Sequence, residues 1–170
     1  MNIKHISVKK LGIGDGPTFK RIWLEALKST PSSYASTLAD WELLPGEEWE
    51  RRISNPIFLA LSAGHPIGMM GLIRKPPGKL KHRATIVMAY VNKDFRRTGA
   101  ASQLLHHISA FAKADGITQL ELCVSAENPS ALAFYRSQGF SKLCVMPGGI
   151  IENGRMVDEV QMLWKIAPSR

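Results

Sequence analysis

The chain has 170 residues, 45% hydrophobic and 21% charged, enough for one domain spanning 1–170 with a hydrophobic core of its own. Its formal net charge of +8 at pH 7 favours a polyanionic partner: nucleic acid, a membrane surface or a phosphorylated cofactor. It shows no apolar signal core, no run approaching the ~20 residues of a membrane span and no zinc-type spacing, so a secreted, membrane-spanning or zinc-built protein is not expected.

Alternation over Asn2–Lys9 predicts a first strand. The cluster Gly12-Ile13-Gly14-Asp15-Gly16-Pro17 reads as a turn, with Pro17 in the first turn of a helix that aligns Phe19, Ile22, Trp23, Ala26 and Leu27 on one face. Ser29–Ser36 reads as a loop, and a second helix is predicted over about Pro45–Ile53, with Glu47, Glu48 and Glu50 near its positive end. Ile57–Ser62 and Ile67–Arg74 read as strands joined at Ala63-Gly64-His65-Pro66. The basic loop Lys75–Lys81 leads to a long strand, Arg83–Val91. A helix from about Thr98 to Ala114 carries Leu104, Leu105, Ile108, Phe111 and Ala112 at a 3.6-residue period and stops at Gly116. Ile117–Val124 is the next strand. Asn128 as N-cap and Pro129 as first helical residue begin a helix over Pro129–Gln138 that ends at Gly139. Two strands close the chain, Phe140–Met146 and about Arg155–Lys165, separated by turns at Pro147-Gly148-Gly149 and Asn153-Gly154. Cys123 and Cys144 sit in apolar runs and read as buried free thiols, which suits a reducing cytoplasm. His106 and His107 are adjacent on a helix and point apart, a poor metal pair.

The stretch from Val91 to Ala101 carries the first functional signal. A strand feeds a short basic loop, and the loop feeds a helix N-terminus whose free N–H groups and dipole attract anions. Arg96 and Arg97 add permanent charge, while Gly99, Ala100 and Ala101 let a ligand approach the backbone. The spacing is neither a Walker loop nor the dinucleotide fingerprint Gly-x-Gly-x-x-Gly, which the Gly12 cluster imitates but spoils with Pro17. A second signal runs from Leu120 to Phe140. Asn128 and Tyr135 lie two helical turns apart and project to the same side of one helix.

Arg96-x-x-Gly99-x-Ala101, followed by Asn128, Ala131, Phe134-Tyr135 and Gly139-Phe140, resembles the paired motifs of the GNAT superfamily of N-acetyltransferases, in the family's order and with a helix and a strand between them. The resemblance implies an α/β (α+β) fold: a mixed, mostly antiparallel sheet of about 6–7 strands with a splayed parallel pair in the middle, flanked by about four helices. It implies a single N-acetyltransferase domain that uses acetyl-CoA as co-substrate and no metal. The pantetheine arm would lie in the gap beside Val91, with Ala89 and Val91 offering backbone groups and Tyr90 flanking them. Arg96, Arg97, Thr98, Gly99, Ala100, Ala101 and Ser102 would hold the pyrophosphate, Asn128 the pantetheine, and Tyr135 would protonate the departing thiolate. As partners it implies acetyl-CoA and an amine acceptor, with no nucleic acid and no membrane; a homodimer stays open.

The family's usual carboxylate on the strand equivalent to Arg83–Val91 is missing here, which leaves the general base among His82, Glu42, Glu47 and water. Asp40, Glu42, Glu47, Glu48 and Glu50 form an acidic segment suited to a cationic amine, whereas Arg74, Lys75, Lys79, Lys81, His82 and Arg83 suit an acidic acceptor or phosphates. Tyr34, Trp41 and Trp49 either wall an acceptor pocket or pack in the core. A non-catalytic CoA-binding regulator and a basic nucleic-acid-binding module stand as alternatives.

Overall fold

In the computed structural model, which describes residues 5–166, seven strands form one sheet in the order β1-β2-β3-β4-β5-β7-β6. These are β1 (Ile6–Lys10), β2 (Ile57–Ser62), β3 (His65–Arg74), β4 (Arg83–Val91), β5 (Gln119–Ser125), β6 (Ser141–Glu152) and β7 (Arg155–Lys165). Every neighbouring pair is antiparallel except β4 and β5. The helices are α1 (Gly16–Ser29), α2 (Gly46–Arg52), α3 (Ala100–Ala114) and α4 (Pro129–Ser137). The mixed sheet, its central parallel pair and the four helices match the expected architecture. Residues 2–4 of the predicted first strand lie outside the described residues. Among the described residues no helix is long and apolar enough to cross a membrane.

The sheet is covered differently on its two faces. On one face α3 and α4 bury Leu104, Leu105, Ile108, Ala112 and Tyr135 against Ala60, Leu72, Ile86, Leu122 and Met162. On the other, α1 and α2 bury Phe19, Trp23, Trp41 and Trp49 against Ile57, Leu59, Met69 and Tyr90. The apolar stripe predicted for α1 is the buried one, and Pro17 stands at its start. Trp41 and Trp49 therefore belong to a core, packed edge-on with Phe19 and Trp23 at ring separations of 5.1–6.3 Å.

That second layer ends at β4. Among the described residues the face of β5, β7 and β6 on the α1 side carries no α-helix, and this overturns the expectation for the cysteines. Both Cys123 and Cys144 are exposed, with the Cys144 thiol donating to Gln161 Oε1 at 3.3 Å. An apolar run in a strand buries only the face that something covers. The Pro147-Gly148-Gly149 turn is also corrected. β6 runs on through it with a register shift between Met146 and Ile150, and only Asn153-Gly154 turns the chain into β7. A β-bulge absorbs the glycines without ending the ladder.

The central event is at β4. Its parallel ladder with β5 covers only Arg83–Thr85 against Gln119–Glu121. A bulge follows on the β3 side, between Met69 and Gly71, where Met88 takes a left-handed φ of 55°. Bulges increase local twist and bend the strand, so β4 turns away from β5 and leaves a cleft. β3 must follow β4 closely here: a Cβ on Gly68 would lie 2.7 Å from the Tyr90 carbonyl oxygen. Gly68→Ala is expected to cost about 1–3 kcal/mol through this backbone clash, read as a lowered urea midpoint with an unchanged m-value.

Candidate active site

The cleft between the open edges of β4 and β5 holds a chamber of about 490 Å³. Ala89, Tyr90 and Val91 form one wall; Ser125, Asn128, Ala131, Phe134 and Tyr135 form the other. Asn128 caps α4, its Oδ1 accepting from the Ala131 N–H at 3.0 Å, and a cap uses only the acceptor half of the amide. Tyr135 is 6% exposed and wedged between Phe134 and Phe140. Its hydroxyl makes no hydrogen bond among the described residues. Burial first, and the neighbouring Tyr34 second, raise its pKa well above the usual phenol value. Asn128 and Tyr135 thus share one side of α4 facing one space, as their spacing predicts.

The opposite wall is tied down by a small polar network. Tyr90 turns its ring into the α1 layer, where its hydroxyl donates to Glu25 Oε1 at 2.8 Å and accepts from Ser29 at 3.3 Å. The Asn92 amide donates to the same Glu25 oxygen at 2.8 Å, and Asn92 Oδ1 accepts from the Asp94 N–H, capping a 3-10 turn over Lys93–Phe95. That turn leads into the basic loop. Arg96 lines the chamber, its Nε donating to the Val91 carbonyl at 3.3 Å.

At the far end of the loop, α3 starts at Ala100, two residues later than predicted, because Gly99 adopts φ 91° as a left-handed N-cap without a side-chain partner. Only glycine takes that conformation without strain, and the first-turn N–H groups are left unbound by any capping side chain. Thr98 stays in the loop and donates to the Phe95 carbonyl at 2.6 Å. Of the predicted residues, Ala89, Tyr90, Val91, Arg96, Ala101, Asn128 and Tyr135 line the chamber; Arg97, Thr98, Gly99, Ala100 and Ser102 lie on the loop and helix start beyond it.

A second chamber of about 400 Å³ opens on the α1 side of the sheet. Trp23, Tyr34 and Trp41 wall it, Thr85, Val87 and Met88 form its β4 side, and Cys123 and Glu159 come from the uncovered strands. The two chambers meet at Ser32, Ser33, Tyr34, Ser125 and Ile150. Tyr34 hangs over the junction with its hydroxyl donating to the Ala89 carbonyl at 3.1 Å. Burial pushes its phenol up to about 12.

None of the three candidate side-chain bases lines either chamber. His82 lies just before β4, at the end opposite Val91, lines neither chamber, and its carbonyl binds the N–H groups of Thr118 and Gln119. Glu42 and Glu47 are exposed and line neither chamber. The acidic segment serves structure instead: Asp40 accepts from Thr37, Glu48 from Arg51, and Glu50 from the N–H groups of Gly14 and Gly16. Three of the basic residues are likewise engaged, Arg74 by Asp115, and Lys75 and Arg83 by Glu121.

Sequence reading missed the junction residues Ser32, Ser33 and Ile150, and the second-chamber carboxylate Glu159. Ser125 and Ser130 lay inside the second motif without a role. For Ile150 and Glu159 no sequence signal existed, since their position depends on the β6 bulge and on β7 pairing beside β5.

Comparison with known proteins agrees with this geometry. The profile described as "Acetyltransferase (GNAT) family" matches residues 20–140. An uncharacterized N-acetyltransferase of Methanocaldococcus jannaschii is 29% identical over 112 residues, which is 65% of this chain and 48% of that relative, so the match spans about half of the relative's length. Among solved structures, a GNAT-family acetyltransferase from Streptococcus pneumoniae superposes with a TM-score of 0.82 at 20% identity, covering 96% of this chain and all of that one. A GNAT superfamily phosphinothricin acetyltransferase from Sinorhizobium meliloti, solved in complex with acetyl-CoA, gives 0.81 at 18% identity, covering 97% and 94%.

The raised Tyr34 pKa carries a pH consequence. A phenol that holds its proton more tightly folded than unfolded contributes stability that is whole below pH ~10 and lost as pH rises toward 12. Urea midpoints measured from pH 9 to 12 should therefore fall more steeply for the wild type than for Tyr34→Phe.

Proposed function

The chain belongs to the acetyltransferase (GNAT) family, and on that premise we propose that it transfers the acetyl group of acetyl-CoA to a primary amine of a small molecule or peptide by direct attack in a ternary complex. The observation that carries this reading is the cleft itself. It runs from a helix start with free N–H groups, between two strand edges without partners, to a buried tyrosine, and a second chamber joins it there. The acetyl-CoA bound by the S. meliloti enzyme, on the same fold, supports the choice of donor.

In this reading the pyrophosphate rests on the N-terminus of α3, beside Arg96 and Arg97. The pantetheine arm fills the first chamber against the backbone of Ala89–Val91, and the Asn128 amide N–H groups point to it. The amine arrives through the second chamber and meets the thioester near Tyr34, Ser125 and Ile150. Its nitrogen lone pair attacks the thioester carbonyl carbon, and a C–N bond forms. An oriented N–H at the end of β4 stabilises the charge on the carbonyl oxygen. The C–S bond then breaks and the sulfur takes a proton from the Tyr135 hydroxyl. Burial keeps that phenol protonated at neutral pH, ready to donate.

No covalent intermediate on the protein is needed. Cys123 lines the second chamber; although the residue is exposed, partial desolvation by the chamber walls first, and then the Glu159 charge, hold its thiol above the usual value and keep it a poor nucleophile.

Thiol release from acetyl-CoA, screened against amino acids, polyamines, aminoglycosides and peptide N-termini, tests the activity and identifies the acceptor. Tyr135→Phe should lower turnover about 10²–10⁴-fold while CoA affinity, measured by calorimetry, stays within about threefold; equal turnover removes Tyr135 from the mechanism. Gly99→Glu places a strained side chain and a negative charge on the anion cradle and should abolish CoA binding in a protein whose circular dichroism is unchanged. Retained affinity would overturn the loop assignment.

A further inference from the structure

We propose that Glu159 is the general base, the group that accepts the proton lost by the acceptor amine during acetyl transfer. This rests on the acetyltransferase reading above and adds the one participant that reading lacks. β4 offers no carboxylate between Ala84 and Val91. Three glutamates line the two chambers: Glu127, Glu152 and Glu159. Glu127 is gripped by both terminal nitrogens of Arg155, at 2.6 and 2.8 Å, and its carboxyl is held below the usual range by that pairing. Glu152 stands opposite Arg155 in the β6–β7 register and lines only the cofactor chamber, away from the acceptor side. Glu159 lines the acceptor chamber and makes no hydrogen bond or ion pair among the described residues.

Its position follows from the register. Glu159 lies directly opposite Ser125 in the β5–β7 ladder, and Ser125 lines both chambers. The β6 bulge completes the setting. A Cβ on Gly149 would stand 2.9 Å from Glu159 Oε2, so the glycine lets that carboxylate lie close against β6 where a larger residue would make it shift. One residue further on, Ile150 closes the junction with an apolar side chain. Cys123 from β5 shares the chamber. Across it stand Tyr34 and the Arg52 guanidinium from α2, the latter stacked 4.3 Å over Trp41 and paired with Glu48. Glu121 and Lys75, lower on the same face, engage each other.

The chemistry fits this placement. An amine with a pKa of about 8–10 arrives mostly as an ammonium at neutral pH, and an unpaired carboxylate beside a half-apolar wall holds it. Glu159 first takes one proton from the ammonium, directly or through one water, and so frees the lone pair that attacks. As the C–N bond forms, the nitrogen becomes strongly acidic and gives up a second proton, which restores the one that Tyr135 passes to the sulfur, and the proton on Glu159 leaves to solvent. The sum is ammonium plus acetyl-CoA giving acetamide, free CoA and one proton.

The test uses the amine that the wild-type protein acetylates fastest in the thiol-release panel, with kcat and KM measured from pH 5.5 to 10 for wild type, Glu159→Gln and Glu159→Asp. Glu159→Gln should lose about 10²–10³-fold in kcat at pH 7, recover as pH rises toward the amine pKa, and bind acetyl-CoA as the wild type does; Glu159→Asp should recover part of the rate. A wild-type rate and pH profile in Glu159→Gln overturns the assignment and leaves the acetyltransferase reading standing. A rise in KM alone, with kcat and profile unchanged, also overturns it, since Glu159 would then only bind the ammonium. If the wild type releases no thiol with any amine of the panel, the acetyltransferase reading fails and the base assignment falls with it.

Discussion

Three residue pairs of parallel ladder, Arg83–Thr85 against Gln119–Glu121, are the constraint on which the site depends. Below them the sheet is continuous; above them β4 and β5 part, and each keeps an edge of backbone N–H and C=O groups without a strand partner. Such groups are costly to bury unsatisfied, and an open edge in a folded protein invites an extended ligand to complete it. The cleft is therefore a binding surface made by an interrupted ladder.

Holding β4 in that bent course takes contacts from outside the sheet. The bulge at Met88 supplies the twist, and the α1–α2 layer supplies the anchor: an aromatic core around Phe19, Trp23, Trp41 and Trp49, and a polar tie from Glu25 to Tyr90 and Asn92. Through Asn92 the same tie reaches the turn that launches the basic loop. Cofactor wall and anion cradle are thus positioned by one helix that lines neither.

Charge illustrates why counting residues says little about a site. The net +8 is dispersed, and several basic side chains are already engaged by acids on neighbouring elements. The acidic segment around α2 closes turns and helix ends. What distinguishes Glu159 is isolation: among the described residues it is a carboxylate with no cationic partner, on a face of the sheet that no α-helix covers.

Local order was legible in the sequence because local physics writes it. The spacing of apolar residues marked α1 and α3, Asn128-Pro129 marked the start of α4, and the boundaries of β2 and β4 were read as they stand. The run from Arg96 to Ala101 and the Asn128–Tyr135 pair also pointed to the cleft proposed as the cofactor site, because a helix start and a two-turn spacing determine their own geometry. Errors came where a neighbour decides. Cys123 and Cys144 sit in apolar strands yet are exposed, since burial depends on which face a helix covers. Pro147-Gly148-Gly149 has the composition of a turn yet forms a bulge, since β7 continues to pair past it. By itself the sequence determined most of the elements and pointed to the residues proposed for the donor half of the site, and it offered Tyr34 as a pocket wall. Only the tertiary structure decided the rest of the proposed acceptor half, because Ile150 and Glu159 join Tyr34 through the β6 bulge and the pairing of β7 beside β5, neither of which leaves a pattern along the chain.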